Sequence, residues 1–356
     1  MTRESKLRFW LIGLLLAAAA LYLLSGILLP FVAGMIIAYF LDPLADRLER
    51  LGASRLAATG IITIGFFLLA VLLVLMLFPV IQNQIGSFAV RVPGYVERLV
   101  AWVQPLLEHA QRYLSPKDME GLRSAVGDSA GTAVGWIAGL LTRLLAGSAA
   151  LINVLSLIFI TPVVTFYMLR DWDRMVAKID SWLPRAHVDT IRAQAAEINK
   201  TLAGFIRGQA TVCLLLAAYY GIGLTLVGLD VGLILGMSAG LVSFIPYLGA
   251  LSGFVLGIVL ALAQSHDWSL PALVAGVFLV GQIVEGNFLT PKLVGDKVGL
   301  HPVWIIFALL AAGSLFGFLG VLLAVPVAAS IGVLARFALS RYLASPLYQH
   351  SGEAAP

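Results

Sequence analysis

Charge is scarce in this chain. Asp, Glu, Lys and Arg make up 12% of its 356 residues, against about 25% in a typical soluble globular protein. Cysteine is nearly absent: the lone Cys213 lies in an apolar stretch, cannot form an internal disulfide, and reads as a small core residue. The apolar/polar alternation that would mark a transmembrane β-barrel is missing. So are the phosphate-cradling G-x-x-x-x-G-K-[ST] loop and the zinc-binding H-E-x-x-H helix, which speaks against ATP drive within the chain and against a zinc protease. No pair of intramembrane aspartates suggests an aspartyl protease, and a Ser252–His266 dyad would lack an orienting partner.

What the chain has instead is long runs without charge. They extend over residues 9–41, 56–90, 144–169, 208–229, 231–265 and 298–335. About 20 apolar residues suffice to cross a ~30 Å hydrocarbon layer. The expected fold class is therefore an all-α polytopic membrane protein. The first run is too long for a signal peptide, and no small-residue cleavage site ends it, so it is expected to remain as a span. The net charge of +4 is explained by lysines and arginines held on the cytoplasmic side, not by nucleic acid.

The basic residues set the expected topology. Residues 1–8 carry Arg3, Lys6 and Arg8; residues 42–55 carry Arg47, Arg50 and Arg55; residues 170–207 carry seven; and Lys292, Lys297, Arg336 and Arg341 follow. All of these read as cytoplasmic, with both termini inside. Residues 81–143 then face outside. A single helix over 231–263 would be about 50 Å long and would put Lys292 and Lys297 outside. A fold back at Pro246-Tyr247-Leu248-Gly249 puts them inside. The same reasoning folds 302–335 at Gly313–Gly320, with Gly317 and Gly320 at the tip. The second half then reads span, hairpin, span, hairpin, an inverted repeat with two broken, re-entrant elements. Hairpin tips expose unpaired backbone at membrane depth, which is tolerated only beside protein or a polar cavity. The alternative is that Pro and Gly merely kink long tilted helices or mark helix contacts.

Several strings resemble the autoinducer-2 exporter (AI-2E) family. They are F-I-P-Y-L-G (244–249), E-G-N-F-L-T-P-K-L-V-G (285–295), V-G-L-H-P-V (298–303), F-G-F-L-G-V-L-L-A-V-P (316–326), D-P-L at 42–44 and T-P-V-V-T-F-Y-M-L-R-D (161–171). The resemblance implies an inner-membrane protein with about eight spans, assembled as a homo-oligomer, a pentamer, that moves a small polar solute such as autoinducer-2, or a monovalent cation against protons. It implies no cofactor and no enzymatic activity.

Glu285 is the foremost candidate site residue, because 17 uncharged residues precede it and intramembrane acids are expensive to place. Such a carboxylate can exchange a proton. Gln282 lies on the same helix face and Asn287 adds an amide. The plainer reading ties Glu285 to a hairpin backbone or to Lys292. Pro246, Tyr247, Gly249, Gly317 and Gly320 are candidates for lining the solute path. Pro291, Gly295, His301 and Pro302 form the approach to the second hairpin, where a histidine is a candidate pH-responsive group or a structural residue. Asp230 and Asp267 read as acids at span ends, and Thr161 and Thr165 as interhelical hydrogen-bond partners.

By segment, 1–80 holds N-terminal spans, 81–143 an extracytoplasmic amphipathic region, 144–169 a span, 170–207 a cytoplasmic amphipathic helix, 208–341 the transport core and 342–356 a tail. Within 81–113, Ile85, Phe88, Val92, Tyr95, Leu99, Trp102 and Leu106 form a heptad-like seam. Pro93 and Pro105 argue against one unbroken coiled coil there. The helix over 187–207 is expected to run straight into the next span.

Overall fold

The computed structural model describes residues 27–110, 148–246, 248–265, 267–294 and 299–349, with a few positions between 12 and 24. Among the described residues there is no strand. The helices are α1 (Leu29–Arg50), α2 (Arg55–Ala110), α3 (Ser148–Ser181), α4 (Val188–Leu226), α5 (Gly232–Val242), α6 (Leu248–Gln264), α7 (Ser269–Val284), α8 (Pro302–Leu343) and the short α9 (Pro346–Gln349). A wide π-helical stretch, Glu285–Val294, continues from α7. Among the described residues five helical stretches are long and apolar enough to cross a membrane: α1, most of α2, α4 with its preceding turn, α7 with its π extension, and α8. Their apolar side chains stand largely exposed, as in α2 with Leu69, Leu72, Leu75 and Met76. That many bare leucines fit hydrocarbon, where backbone groups must be paired within the helix.

Two compact units are present. The first comprises residues 1–67, 156–209 and 291–356, and the second comprises residues 68–155 and 210–290. The core of the first is built on Ala38, Leu41, Ala45, Ile62 and Leu169, flanked by Phe40, Phe66 and Met168. Here α1 and α3 come close because Gly34 has no side chain: a Cβ there would lie 2.7 Å from Val164. The Thr165 hydroxyl donates to the Gly34 carbonyl at 3.2 Å and to the Thr161 carbonyl at 2.8 Å, an interhelical role of the kind expected. α1 ends in a Schellman turn. Gly52, at φ 98°, supplies the left-handed residue, Gly52 N–H donates to Glu49, and Ala53 N–H donates to Leu48. α4 ends the same way at Gly228, with Leu224 and Leu229 buried across the turn.

In the second unit α5 and α6 form an antiparallel helical hairpin. Its turn occupies Ser243–Pro246, and Gly249 already sits in the first turn of α6, where its Cβ would lie 2.2 Å from the Ser243 nitrogen. The break therefore falls slightly earlier than the sequence suggested, and Gly249 serves close packing. At the open end the Asp230 N–H donates to the Gln264 side chain at 3.0 Å.

In the first unit α8 is itself bent. Gly317 has φ 59° and ψ −138°, a conformation open essentially to glycine alone. The two arms run back on each other: a Cβ on Gly320 would lie 1.9 Å from the Ala312 carbonyl oxygen, and one on Gly332 would lie 2.9 Å from Leu300. This is the second hairpin, bent within the Gly313–Gly320 string.

Two continuities complete the picture. α4 runs unbroken from Val188 to Leu226, as its periodicity indicated. α2 runs unbroken to Ala110 through Pro79, Pro93 and Pro105, so the prolines do not end it. Each proline removes one N–H from the ladder, and the sequence alone could not tell a local kink from a stop.

Candidate functional site

The candidate site in the second unit is assembled from α4, α7 and the start of the π stretch. Pro291 has no N–H to give the carbonyl four residues back, so an α-helical ladder cannot pass through it unchanged. The chain widens to a π-helix from Glu285 onward, a distortion frequent at functional sites. Glu285 is half-buried, and Gln282 Nε2 donates to Glu285 Oε2 at 2.8 Å. The two foremost sequence candidates are thus brought together. Asn287 is not part of the pair; its amide donates to the Ile283 carbonyl at 2.9 Å. No salt bridge involves Glu285 among the described residues.

Sequence reasoning missed Tyr220. Its ring is fully buried and stacks on Phe278 with centroids 4.7 Å apart. It fits because residue 281 is glycine: a Cβ there would lie 2.4 Å from the ring and 2.6 Å from the hydroxyl. The hydroxyl is buried without a partner at good hydrogen-bonding geometry, with the Gln282 amide close enough to interact. Tyr220, Gln282 and Glu285 therefore form a polar line that runs from the buried Tyr220 hydroxyl to the exposed Gln282 and the half-buried Glu285. A buried polar group left unpaired costs about 1–3 kcal/mol, so an unpartnered phenol beside an amide–carboxylate pair offers a place for a polar guest. No sequence signal pointed to Tyr220, because its significance depends on a glycine 61 positions later.

The hairpin of α5 and α6 is held at its open end by α2. Arg91 Nη1 donates to Asp230 Oδ2 at 2.6 Å, and the Tyr95 hydroxyl donates to the same oxygen. Arg98 Nη1 donates to the Gln264 carbonyl at 2.8 Å, satisfying an end carbonyl of α6. Gln264 Nε2 donates to the Gly228 carbonyl at 2.7 Å. Asp230 is therefore a joint between three helices. Asp267 fits the span-end reading: it accepts from the hydroxyls of Ser265 (2.6 Å) and Ser269 (2.7 Å), which hold its carboxyl below the usual range. The seam on α2 is real at Val92 and Tyr95, both buried.

In the first unit, Arg55 at the start of α2 gathers carboxylates. Its guanidinium donates to Asp46 and Glu49 at 2.9 Å each, to Asp42 at 3.2 Å and to the Leu169 carbonyl at 2.9 Å. Arg207 reaches Asp42 at 3.5 Å and the Tyr39 carbonyl at 3.0 Å, while the Tyr39 hydroxyl donates to Asn199. A cavity of about 160 Å³ is walled by Tyr39, Asp42, Trp172, Asn199 and Arg207. The D-P-L and T-P-V-V-T-F-Y-M-L-R-D strings supply much of this arrangement, and neither arginine stood out in the sequence.

The remaining candidates are placed as follows. Pro246 lies in the turn of the first hairpin, and Gly317 and Gly320 at the bend of the second. Pro302 opens α8, and His301 is its N-cap, with Nδ1 accepting from Val303 N–H at 3.4 Å. Pro291 lies within the π stretch. Tyr247 and Gly295 lie outside the described residues, as does His266. The pentapeptide G-M-S-A-G at 236–240 matches the serine-hydrolase elbow pattern G-x-S-x-G. It forms the middle of helix α5, without the strand-to-helix turn that exposes such a serine. A second match, G-D-S-A-G at 127–131, lies outside the described residues.

Comparison with known proteins places these features in context. The chain matches the profile of AI-2E family transporters over residues 11–339. It is 28% identical over 311 residues to YrrI of Bacillus subtilis, whose name marks it as a candidate transport protein; the match covers 87% of this chain and 86% of that one. It is 27% identical over 345 residues to YueF of the same organism, covering 92% of each. It is 28% identical over 318 residues to PerM of Escherichia coli K12, named as a candidate permease, covering 87% of each.

Proposed function

The chain belongs to the AI-2E family of membrane transporters, and from that premise we propose that it is a secondary transporter of a bacterial inner membrane. It exports a small polar solute such as autoinducer-2 or a related metabolite, coupled to protons, and works as a homo-oligomer with both termini in the cytoplasm. The two helical hairpins dip into the membrane from opposite faces and return to them. Relatives named as transport proteins and a permease support the general reading.

The observation that carries the coupling is the Gln282–Glu285 hydrogen bond beside the unpartnered Tyr220 hydroxyl. An ionised Glu285 only accepts hydrogen bonds; a protonated one also donates. Gln282 can serve either state by presenting its amide N–H or its carbonyl oxygen. A hydroxyl-rich solute can replace Gln282 on the carboxylate and take the Tyr220 hydroxyl as well, so proton uptake changes what the site holds. A second reading, a sodium or lithium/proton antiporter, is favoured by one feature: Glu285 has no cationic side chain paired with it among the described residues, which leaves the carboxylate available to a metal cation.

Inverted vesicles containing the protein test both. Autoinducer-2 uptake and sodium uptake are measured side by side, with and without a pH gradient, for the natural chain and for Glu285→Gln. Solute uptake that depends on the gradient and loses that dependence in Glu285→Gln supports the exporter. Sodium uptake alone supports the antiporter. Normal transport by Glu285→Gln with an unchanged pH dependence would refute the proton site.

A further inference from the structure

The second hairpin leaves space between its arms. An apolar cavity of about 810 Å³ runs along them, walled by Trp304, Phe307 and Ala308 on the first arm and by Ala328, Ile331 and Gly332 on the second. At its open end it meets a polar groove of about 860 Å³ lined by Glu197, Lys200, Arg207 and Arg336. The two share a rim, because Gly299 and Arg336 line the polar groove while their chain neighbours Leu300 and Ala335 line the apolar one. Gly332 makes the junction: a Cβ there would lie 2.9 Å from Leu300 and 3.4 Å from Arg336 Nη1.

The rim is basic. Among the described residues three cations face one carboxylate. Arg207 is committed to the Tyr39 carbonyl and Asp42. Lys200 is 81% exposed and only 4.0 Å from Glu197, and Arg336 spends one N–H on the Gly299 carbonyl at 3.2 Å. Lys200 and Arg336 therefore have donors to give to an anion.

We propose that this combined groove is a binding site for an anionic phospholipid, with the phosphate on Lys200 and Arg336 and an acyl chain between the arms of α8. A free phosphate would satisfy the rim and leave the apolar space empty. A second protein helix would fill the apolar space and leave the cations without a counter-charge. One anionic lipid does both. The lengths agree: the first arm from Pro302 to Gly317 is about 23 Å long at ~1.5 Å per residue, enough to shield a chain spanning one leaflet of about 15 Å. Basic pockets between membrane helices are established sites for anionic headgroups. The site lies wholly within the first unit and is independent of the polar line at Glu285.

The test uses the purified full chain in detergent. Dioleoyl phosphatidylglycerol, dioleoyl phosphatidylcholine and inorganic phosphate are added separately, and bound mass by native mass spectrometry and the thermal unfolding midpoint are recorded. Phosphatidylglycerol is expected to be retained and to raise the midpoint, with phosphatidylcholine much weaker and phosphate without effect. The Lys200→Gln/Arg336→Gln double variant should weaken phosphatidylglycerol binding about thirtyfold, the ratio expected from removing two surface cations, and leave phosphatidylcholine unchanged. Ala328→Phe, which fills the groove, should weaken both lipids. Equal affinity for the two lipids, stabilisation by phosphate alone, or wild-type retention of phosphatidylglycerol by the double variant would overturn the proposal. So would quantitative crosslinking between copies of an Ala308→Cys variant, which would place protein in the groove.

Discussion

Replacing Gly236 with alanine adds one methyl group to the face of α5 that touches α4. The Cβ would lie 2.3 Å from the Tyr220 carbonyl carbon, where real Cβ contacts do not fall below 3.0 Å. The backbones must separate by about 0.7 Å, and the contact gives little room for that. Gly232 and Gly240, one turn to either side, approach Leu224 and Ala217 of the same helix just as closely, with virtual Cβ distances of 2.6 and 2.1 Å. α5 cannot tilt away from one site without opening the others. Overpacking of this kind costs about 1–3 kcal/mol, offset by the roughly 1 kcal/mol by which alanine outperforms glycine in a helix. A control isolates the packing contribution. Gly276 of α7 belongs to the same unit, and a Cβ there would meet nothing within 4 Å. Gly276→Ala gains the same helix propensity without the clash, so the two variants should differ by the overpacking of about 1–3 kcal/mol alone. Denaturant unfolding of both proteins in one detergent, followed by tryptophan fluorescence, measures that difference. If Gly236→Ala proves as stable as Gly276→Ala, the backbone contact between α4 and α5 does not exist as described.

Other perturbations test other parts of the fold. Gly317→Ala meets no neighbour within 4 Å but must adopt φ 59° and ψ −138°; it should lose about 1–3 kcal/mol through strain alone, read by the same unfolding assay, and no loss would mean that the bend is not where α8 turns. Arg55→Met strands Asp46 and Glu49 and leaves Asp42 with Arg207 alone at 3.5 Å; full burial would cost ~3–5 kcal/mol, but these carboxylates are 36–44% exposed, so a loss of about 1–2 kcal/mol after solvent screening is expected, and restoring stability with Asp46→Asn would confirm the charge origin. The Asp180 carboxyl is held below its ordinary value of 3.8 by Arg192 at 2.6–2.7 Å; a depressed folded pKa means the pair contributes fully above the unfolded value and is lost as pH falls through the lower folded one, so the protection of the Trp182 and Leu183 amides, measured as the exchange rate relative to the intrinsic rate at each pH, should fall only below about pH 4, and protection that instead falls on raising pH would refute it. Single cysteines placed at Val227 and Ser265 in a Cys213→Ser background should both be labelled from one compartment, because those positions flank the first hairpin; labelling from opposite compartments would end the re-entrant reading.

The legible part of this chain was what depends on runs and breaks. Uncharged stretches gave the membrane class, and Pro246 and the Gly313–Gly320 string marked both bends, because prolines and positive-φ glycines act within a few residues of themselves. Gln282 and Glu285 could be paired from their spacing on one helix. What stayed hidden was action at a distance. Asp230 looked like an ordinary acid at a span end, yet its partners Arg91 and Tyr95 come from 139 and 135 positions away. Arg55 looked like one more basic loop residue, although Leu169, 114 positions on, completes its site. The prolines of α2 left its length open, because a helix can bend around a missing N–H without ending. The glycines at 232, 236 and 240 gained meaning only from the packing, which brings each of them against the backbone of α4.

Both hairpins solve the same physical problem in the same way. A helix that turns back inside a bundle must bring two backbones together, end two hydrogen-bond ladders at the bend, and satisfy loose carbonyls at its open end. Glycine does the first in each: Gly249 and Gly253 lie against Ser243 and Ala239 in one, and Gly320 against Ala312 in the other. The bend is made by a Ser243–Pro246 turn in one and by Gly317 in the other. At the open end an arginine takes the stray carbonyl, with Arg98 on Gln264 and Arg336 on Gly299. Arg98 comes from a different helix, whereas Arg336 belongs to the hairpin it closes. The first hairpin can therefore be released by moving α2, while the second can be released only by something that competes for Arg336 itself. An anionic ligand that takes the remaining N–H groups of Arg336 instead fixes the guanidinium over the Gly299 carbonyl, so its binding should tighten the open end of the second hairpin and leave the first unchanged. Hydrogen exchange at residues 299–304 against 229–234, with and without phosphatidylglycerol, distinguishes the two: slower exchange confined to the former is expected, and a change in both or in neither would break the link between Arg336 and the hairpin it closes.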